Sequence, residues 1–303
     1  MLLKTNGDIP IDSIKINFDT EGLWILNIAL AIIMFGVALS IKIDDFKRLI
    51  KKPKILLVGV FSQFFLLPAL TFVAILIIKP HPSFALGMMM IAACPGGNIS
   101  NFFSKMAKGN SALSVSLTAF ATVICLLMTP LNLEFYSGLY EPTNEIIKTV
   151  QLDPIELFKL VLLILGIPIV LGMLLNHYFE EISKKIEVLL KPFSIIVFLA
   201  LIVIAFYDNI DVFFNYIHLV AGLVIFHNIG AYFIGFYTAK TFGLEKRDRK
   251  TISMETGIQN GGLGLLLIFQ FFDGLGGMAL LAAFWSIWDI LSGLLLGLYW
   301  GKK

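Results

Sequence analysis

Cys-Pro-Gly-Gly-Asn-Ile-Ser-Asn at residues 94–101 and Glu-Thr-Gly-Ile-Gln-Asn-Gly-Gly at residues 255–262 each interrupt a long apolar stretch near its middle. In hydrocarbon an unpaired backbone N–H or C=O costs several kcal/mol, so non-helical chain at membrane depth must be buried in protein or line a watery cavity. Two broken helices in corresponding places of two halves of a chain are typical of inverted-repeat secondary transporters, whose site lies near the membrane midplane.

Composition places the chain among integral membrane proteins. Of its 303 residues, 58% are hydrophobic and only 15% are charged, which is far from the balance of a soluble domain. We therefore expect an all-α protein in a lipid bilayer, with no nucleic-acid partner, and we expect it to be a monomer. Residues 1–22 lack the pattern of a signal peptide, so we interpret them as an extracellular segment before a retained first span.

Nine membrane spans are predicted from apolar runs of roughly 20 residues bounded by Gly, Pro and charged clusters. The expected spans are residues 23–41, 55–78, 84–107, 111–133, 155–178, 192–210, 216–241, 251–272 and 278–300.

The basic residues predict the orientation of these spans. Eighteen of the 23 Lys and Arg residues lie in alternate connections, whereas the other connections hold five and carry acids instead. By the positive-inside rule the N-terminus is outside and the C-terminus is cytoplasmic, and a bacterial inner membrane fits the absence of a targeting extension. The basic connections are residues 42–54, 105–108, 179–191, 240–250 and the C-terminus.

Aligning the two breaks pairs span three with span eight, so that paired spans run in opposite directions. The first repeat then covers residues 23–133 and lacks its first helix, while the second covers residues 155–300. The longest connection, about 134–154, is predicted to be an extracellular loop. No Pro-, Gly- or Ser-rich linker divides the chain, so residues 1–303 are expected to form one transporter domain.

Oxygen-bearing side chains cluster around the breaks. A small hard cation such as sodium is held by oxygen, by analogy with calcium and magnesium sites. A carboxylate at membrane depth is a candidate functional group, because an uncompensated charge there is costly. A bound cation would compensate the charge of Glu255. The candidate oxygens are Ser100, Asn101, Ser114, Thr118, Gln63, Glu255 and Gln259.

Each candidate also has a structural interpretation. Ser and Thr in membrane helices often bond to their own backbone carbonyls or pack at close helix contacts, and Ser114 or Thr118 alone favours this. Gln63 alone is balanced between a bond between helices and a ligand. Cys94 and Cys125 lie in apolar segments and are interpreted as packing residues.

The same segments resemble the bile acid:sodium symporter family. The similar motifs are residues 94–101, Lys-Gly-Asn-Ser-Ala-Leu-Ser-Val-Ser-Leu-Thr at 108–118, residues 255–263 and three shorter motifs at 33–39, 59–64 and 226–230. The likeness covers nearly the whole chain. It implies a core domain of spans three, four, eight and nine moving against a panel domain, and it leaves open to which of the two domains spans two and seven belong. It also implies that the two broken helices cross in the core.

The resemblance further implies two sodium sites. The first would be formed by Ser100, Asn101, Ser114, Thr118 and Glu255. The second would use Gln63, Glu255 and Gln259 with the main-chain carbonyls of Thr256 and Ile258. Sodium is then the coupling ion, and no organic cofactor is implied.

The last span departs from the family pattern. Where similar chains carry His-Asn, this one reads Trp288-Asp289-Ile290. An anionic substrate would meet a carboxylate there unless Asp289 is a structural acid paired with a buried donor, and both interpretations stay open. Asn98 replaces a smaller polar residue usual beside the break, which argues against bile acids themselves.

The sequence thus predicts a sodium-coupled symporter of a small or amphipathic organic acid and not an enzyme. Its substrate would bind beside Asn98, Asn260 and Asp289. Two alternatives remain: an efflux carrier of the arsenite-transporter branch using Cys94, and a sodium-responsive binding protein or sensor that does not transport.

Overall fold

The protein is built from α-helices joined by short turns. Its structure, a computed structural model, describes residues 11–13, 28–29, 31–36, 38–39, 51, 53–150, 154–190, 192–193 and 210–302. Across these ranges the one extended pairing is a single antiparallel bridge between Gly96 and Gln259. The all-α class predicted from the sequence is confirmed.

Eleven helices can be numbered after residue 51. They are α1 (Pro53–Ile78), α2 (Pro82–Ala93), α3 (Ile99–Met106), α4 (Ser111–Leu139), α5 (Glu141–Val150), α6 (Pro154–Val161, a π-helical turn at Leu162–Gly166 and Ile167–Tyr178), α7 (residues 180–190), α8 (Ile210–Thr241), α9 (Lys246–Gly257), α10 (Gly261–Phe272) and α11 (Gly276–Gly301).

Five of these helices include a stretch long and apolar enough to cross a bilayer. The predicted spans three and eight instead form pairs of shorter helices, α2 with α3 and α9 with α10, as the breaks indicated. About half of the predicted span 23–41 and most of the predicted span 192–210 lie outside the described residues. The count of nine spans and the core and panel division therefore stay predictions. The five stretches are Pro53–Ile78, Ser111–Leu139, Phe158–Tyr178, Phe214–Thr241 and Gly276–Gly301.

Residues 134–154, predicted to form a loop, are mostly helical, and their extracellular position stays a prediction. Helix α4 runs on to Leu139, and α5 follows after one residue. The apolar residues Ile146, Ile147 and Val150 follow helical spacing and pack against the main hydrophobic core. The loop prediction failed because α5 is short and amphipathic and therefore lacks the apolar density of a span.

Two basic connections predicted as loops are also largely helical. Residues 180–190 form α7, where the Lys184 ammonium lies 3.3 Å from a Glu180 oxygen and 3.5 Å from a Glu181 oxygen. The connection at 240–250 ends early, because α9 begins at Lys246. Alternating charges favour a solvated helix as readily as a loop, and the apolar-run criterion does not register such helices.

Helix α2 is the buried centre of the fold. Every residue from Ser83 to Ala93 is buried, as expected for a helix that is apolar on all sides. It packs against α4 and α11, while α8 packs along α9. Large apolar side chains on the outer faces of α1, α6 and α8 remain exposed, as suits contact with lipid; examples are Leu57, Leu163 and Phe226. The first break follows α2 directly and so lies inside the protein.

Candidate functional site

The two breaks meet at the single bridge. The Gly97 N–H donates to the Ile258 carbonyl at 2.8 Å, and the Asn260 N–H donates to the Pro95 carbonyl at 2.9 Å. Because an unpaired backbone group is costly at membrane depth, pairing the two extended segments with each other removes much of the cost of breaking both helices. Each break therefore depends on the other for the partners of its backbone groups.

Glycines permit this close approach. A Cβ on Gly96 would lie 2.8 Å from a Glu255 carboxylate oxygen, and one on Gly97 would lie 2.7 Å from the Gln259 carbonyl oxygen. Real Cβ atoms almost never approach other heavy atoms this closely. The Pro-Gly-Gly sequence thus ends α2 and leaves room for the carboxylate and for the second break.

Glu255 lies near the end of α9 and is only 4% exposed. One carboxylate oxygen, Oε2, accepts hydrogen bonds from Ser100 Oγ on α3 at 2.7 Å and from Ser114 Oγ on α4 at 3.5 Å. The other, Oε1, accepts from Thr118 Oγ1 at 2.5 Å. The consecutive helices α3 and α4 and the distant helix α9 therefore contribute to one oxygen-rich cluster.

Asn101 completes this cluster. Thr118 Oγ1 lies 3.3 Å from the Asn101 Oδ1 atom and 3.0 Å from the Ser114 carbonyl. A hydroxyl has one proton and two lone pairs, so it can donate to the carboxylate or turn its oxygen toward a cation. The structure thus brings together all five residues of the first predicted sodium set: Ser100, Asn101, Ser114, Thr118 and Glu255. We call this group the hydroxyl cluster.

The second predicted set surrounds two facing amides. Gln63 Nε2 donates to Gln259 Oε1 at 2.8 Å and to the Cys94 carbonyl at 2.9 Å. Gln259 Nε2 donates to the Thr256 carbonyl at 2.6 Å, and the Ile258 carbonyl already accepts the bond of the bridge. Four members of the set are therefore adjacent, whereas the Glu255 carboxylate accepts its hydrogen bonds from the hydroxyl cluster.

Gln63 belongs to a π-helical turn, Ser62–Leu66, inside α1. Such turns are rare in proteins, but those that occur often lie at functional sites, because the extra residue displaces the neighbouring side chains. Here the turn contains the buried side chains of Ser62 and Gln63, both of which reach the broken helices. Residue propensities gave no signal for this turn.

The three predicted substrate residues differ in position. Asn98 and Asn260 are the half-buried N-cap residues of α3 and α10, and the Asn260 side chain accepts the Leu263 N–H at 3.1 Å. Asp289 is 2% exposed. Its carboxylate accepts Asn228 Nδ2 at 3.0 Å and the Gln259 N–H at 2.9 Å, as the structural interpretation requires.

Sequence reasoning missed three further residues that contact the breaks. Asn228 Nδ2 donates to the Gly257 carbonyl at 2.8 Å, and Thr129 Oγ1 donates to the Ala93 carbonyl at 2.7 Å. Ser62 Oγ lies 3.0 Å from Thr256 Oγ1. A polar side chain within an apolar run was the available signal, and for Asn228 it was strong, because an amide is costly in a membrane helix unless it is paired.

Comparisons with known proteins reveal similarity to sodium-dependent transporters. The model of the sodium bile acid symporter family matches residues 27–216. An uncharacterised sodium-dependent transporter of Bacillus subtilis (strain 168), YocS, is 32% identical over 278 residues, which cover 92% of this chain and 83% of that protein.

Two eukaryotic relatives are longer than this chain. The human ileal sodium/bile acid cotransporter is 29% identical over 78% of this chain and 66% of its own length. The probable chloroplastic sodium/metabolite cotransporter BASS1 of Arabidopsis thaliana is 28% identical over 81% of this chain, which spans 59% of that protein. The matched length and the similarity to YocS together establish that this chain belongs to the sodium bile acid symporter family.

Proposed function

We propose that this protein is a sodium-driven symporter of a small or amphipathic organic anion that works by alternating access. Membership in a family of sodium-coupled transporters supports the coupling ion. The observation that carries the proposal is the buried Glu255 carboxylate, whose oxygens accept hydrogen bonds from three hydroxyl groups. Burying a carboxylate at this depth is costly, and a cation bound among these oxygens would compensate its charge.

Sodium at the hydroxyl cluster would link three helices. Glu255 lies on α9, Ser100 on α3, and Ser114 and Thr118 on α4. A ligand shifts a conformational equilibrium only by its different affinity for the two states. We infer that sodium favours the state in which these helices are drawn together, and that this state binds the anion.

A second sodium would bind between the two amides. In the structure Gln259 Nε2 lies 3.4 Å from Gln63 Oε1, and the shorter hydrogen bond between the two amides runs from Gln63 Nε2 to Gln259 Oε1 at 2.8 Å. We expect sodium to displace this hydrogen bond and to take both amide oxygens with the carbonyls of Thr256 and Ile258. Glu255 would have to turn part of its carboxylate away from the hydroxyl cluster to join them.

The substrate would meet the N-terminal ends of two helices. Asn98 and Asn260 lie where α3 and α10 begin, and helix N-termini favour negative charge. Asp289 is turned toward Asn228 and the backbone of Gln259. We therefore assign anion binding to Asn98 and Asn260, and we remove Asp289 from the proposed substrate contacts.

The distribution of Lys and Arg supports a proposed orientation. We infer a multi-pass protein of the bacterial inner membrane with its N-terminus outside and its C-terminus in the cytoplasm. The basic connection that includes α7 then lies on the cytoplasmic side, as does the start of α9 at Lys246.

Thermal stability in sodium tests the proposed ion directly. We expect sodium chloride to raise the melting temperature of the detergent-purified protein more than equimolar potassium chloride, because a ligand that binds the native state stabilises it. Glu255→Ala should abolish the difference, and Glu255→Gln should retain part of it because an oxygen remains.

Thr251→Ala is the matched control. Thr251 lies one turn before Glu255 on α9, is fully buried, and bonds Ser104 Oγ at 2.9 Å. The control should keep the parental sodium response even if its melting temperature falls. A Glu255→Ala protein that responds to sodium as the parent does would reject the hydroxyl cluster as the sodium site.

A further inference from the structure

Asp289 is a second buried acid beside the crossing, and the transport proposal leaves it without a role. One carboxylate oxygen accepts a hydrogen bond from Asn228 Nδ2 at 3.0 Å, and the other accepts one from the backbone N–H of Gln259 at 2.9 Å. Gln259 is also one of the proposed ligands of the second sodium. Asp289 therefore holds the backbone of a residue whose side chain is expected to bind the ion.

Asn228 extends this arrangement to a second backbone group. Its Nδ2 atom also donates to the Gly257 carbonyl at 2.8 Å, while its Oδ1 atom accepts the Trp288 indole N–H at 3.1 Å. Both amide protons and the amide oxygen are thus used, which fixes the orientation of the Asn228 side chain. We call Asn228, Trp288 and Asp289 the α8–α11 clamp.

The bridge shows what the clamp corresponds to at the other break. Gly96 and Gln259 are the bridged pair, and the residues two positions before them are Cys94 and Gly257. The Cys94 carbonyl accepts an amide hydrogen bond from Gln63 on α1, and the Gly257 carbonyl accepts one from Asn228 on α8. An amide from a neighbouring long helix therefore supports each break at the equivalent position.

The hydrogen-bond chemistry argues against a cation at Asp289. Its partners are N–H groups, which only donate, whereas the partners of Glu255 are hydroxyls, which can also present lone pairs. A cation placed beside Asp289 would face the hydrogen atoms of these donors. The carboxylate is instead suited to fix donors in position, as expected of a group that orients ligands without binding the ion.

We propose that Asp289, through Asn228 and the Gln259 N–H, is a positioning residue that holds Gly257–Gln259 extended for sodium binding at the second set. This inference rests on the proposed function, since it concerns the same sodium. If the clamp is lost, only a fraction of the molecules holds the segment in the arrangement that binds sodium. The apparent sodium affinity is then the intrinsic affinity multiplied by that fraction.

The test is the sodium dependence of the melting temperature, titrated at constant ionic strength with potassium as the replacement ion. Changes to groups that orient metal ligands typically cost about 10–100-fold in metal affinity. We expect Asp289→Asn to weaken the apparent sodium affinity by about tenfold, because the new amide N–H₂ would face a donor at one of its two partners. Trp288→Phe should have a smaller effect in the same direction, since it keeps an aromatic side chain but loses the indole N–H that bonds Asn228 Oδ1.

Ser292→Ala is the matched control for a purely structural effect. Ser292 lies on α11 one turn after Asp289; its hydroxyl bonds the Tyr232 hydroxyl at 3.1 Å and the main-chain carbonyl of Asp289 at 3.3 Å, and neither bond involves a residue of the two breaks. It should keep the parental sodium affinity whatever its melting temperature. Asp289→Asn and Trp288→Phe proteins that melt earlier but bind sodium with parental affinity would overturn the positioning role.

Hydrogen exchange separates this inference from the proposed function. In the absence of sodium, a peptide containing residues 257–260 should exchange faster in Trp288→Phe than in Ser292→Ala, because the clamp holds the Gln259 N–H. Equal exchange in the two variants would overturn the clamp even if sodium stabilises the parent. A parent without any sodium response would reject the proposed function, and the exchange result would still decide whether the clamp exists.

Discussion

The two breaks have the same backbone pairing but different side-chain surroundings. Around the first, the hydroxyl groups of Ser100 and Thr118 donate hydrogen bonds to Glu255, an acid that belongs to the second broken helix. Around the second, Asp289 accepts hydrogen bonds from the Asn228 side chain and from the backbone N–H of Gln259. The comparison teaches that burial alone does not assign a role to an intramembrane acid. Hydroxyl partners can either donate a hydrogen bond or present an oxygen lone pair, so they permit cation binding. N–H partners can only donate, so an acid bonded to them is suited to holding those groups in position.

The shared backbone pairing gives the largest expected effect. Gly97→Ala should place a Cβ against the Gln259 carbonyl, and overpacking of this kind typically costs about 1–3 kcal/mol. Because the clash separates the two segments, both the melting temperature and the sodium response should fall. Gly222→Ala is the matched control on α8, where a Cβ meets no atom within 4 Å. Equal behaviour of the two variants would show that the pairing of the breaks is unimportant for sodium binding.

Removing ligands from one set at a time sharpens the comparison. Ser114→Ala with Thr118→Ala should weaken the hydroxyl cluster, while Gln63→Ala should weaken the other set. Each should reduce sodium affinity by about tenfold, equivalent to ~1.4 kcal/mol, without unfolding the protein, because the apolar faces remain. The measurement is sodium-dependent uptake together with the melting temperature. Parental uptake in both variants would mean that these side chains only join helices.

The smallest effect is expected on anion selectivity at Asp289. Asp289→Asn should lower the melting temperature while leaving the relative affinities for different organic anions nearly unchanged, because the carboxylate is buried and faces its own donors. Binding of a panel of organic acids at saturating sodium checks this. A clear gain in anion affinity would show instead that the charge of Asp289 is felt in the substrate cavity.

Much of the fold could be predicted from the sequence because the breaks and apolar runs carry strong signals. Three consecutive residues that disfavour the helix interior, Pro95, Gly96 and Gly97, predict a helix end, and the positions of both breaks are confirmed. The short amphipathic helix α5 was missed because its apolar residues are few and their burial depends on contact with the core.

The candidate site was predictable in composition but not in contacts. Glu255 was recognisable as an acid in an apolar segment, and the family resemblance implied which residues would join it in the two sodium sites. The separate roles of Glu255 and Asp289 depend on which donors surround each one, which is a property of the folded chain. The π-helical turn that directs Gln63 inward likewise depends on tertiary packing, because local propensity does not favour it.

Cys94 separates the proposal from an arsenite carrier. Its side chain is fully buried in the main hydrophobic core, directly after α2. Packing alone predicts that Cys94→Ala retains transport, and a strict need for the thiol would favour the alternative.

Uptake into proteoliposomes tests the central claim most directly. An organic anion identified by its sodium-dependent stabilisation of the protein would be supplied in labelled form outside the vesicles, under an inward gradient of sodium or of potassium. The account predicts accumulation with sodium, none with potassium, and counterflow of the labelled anion, with accumulation lost in Glu255→Ala. Uptake that is equal in the two gradients, or that survives in Glu255→Ala, would contradict it, and binding without counterflow would identify a sensor instead.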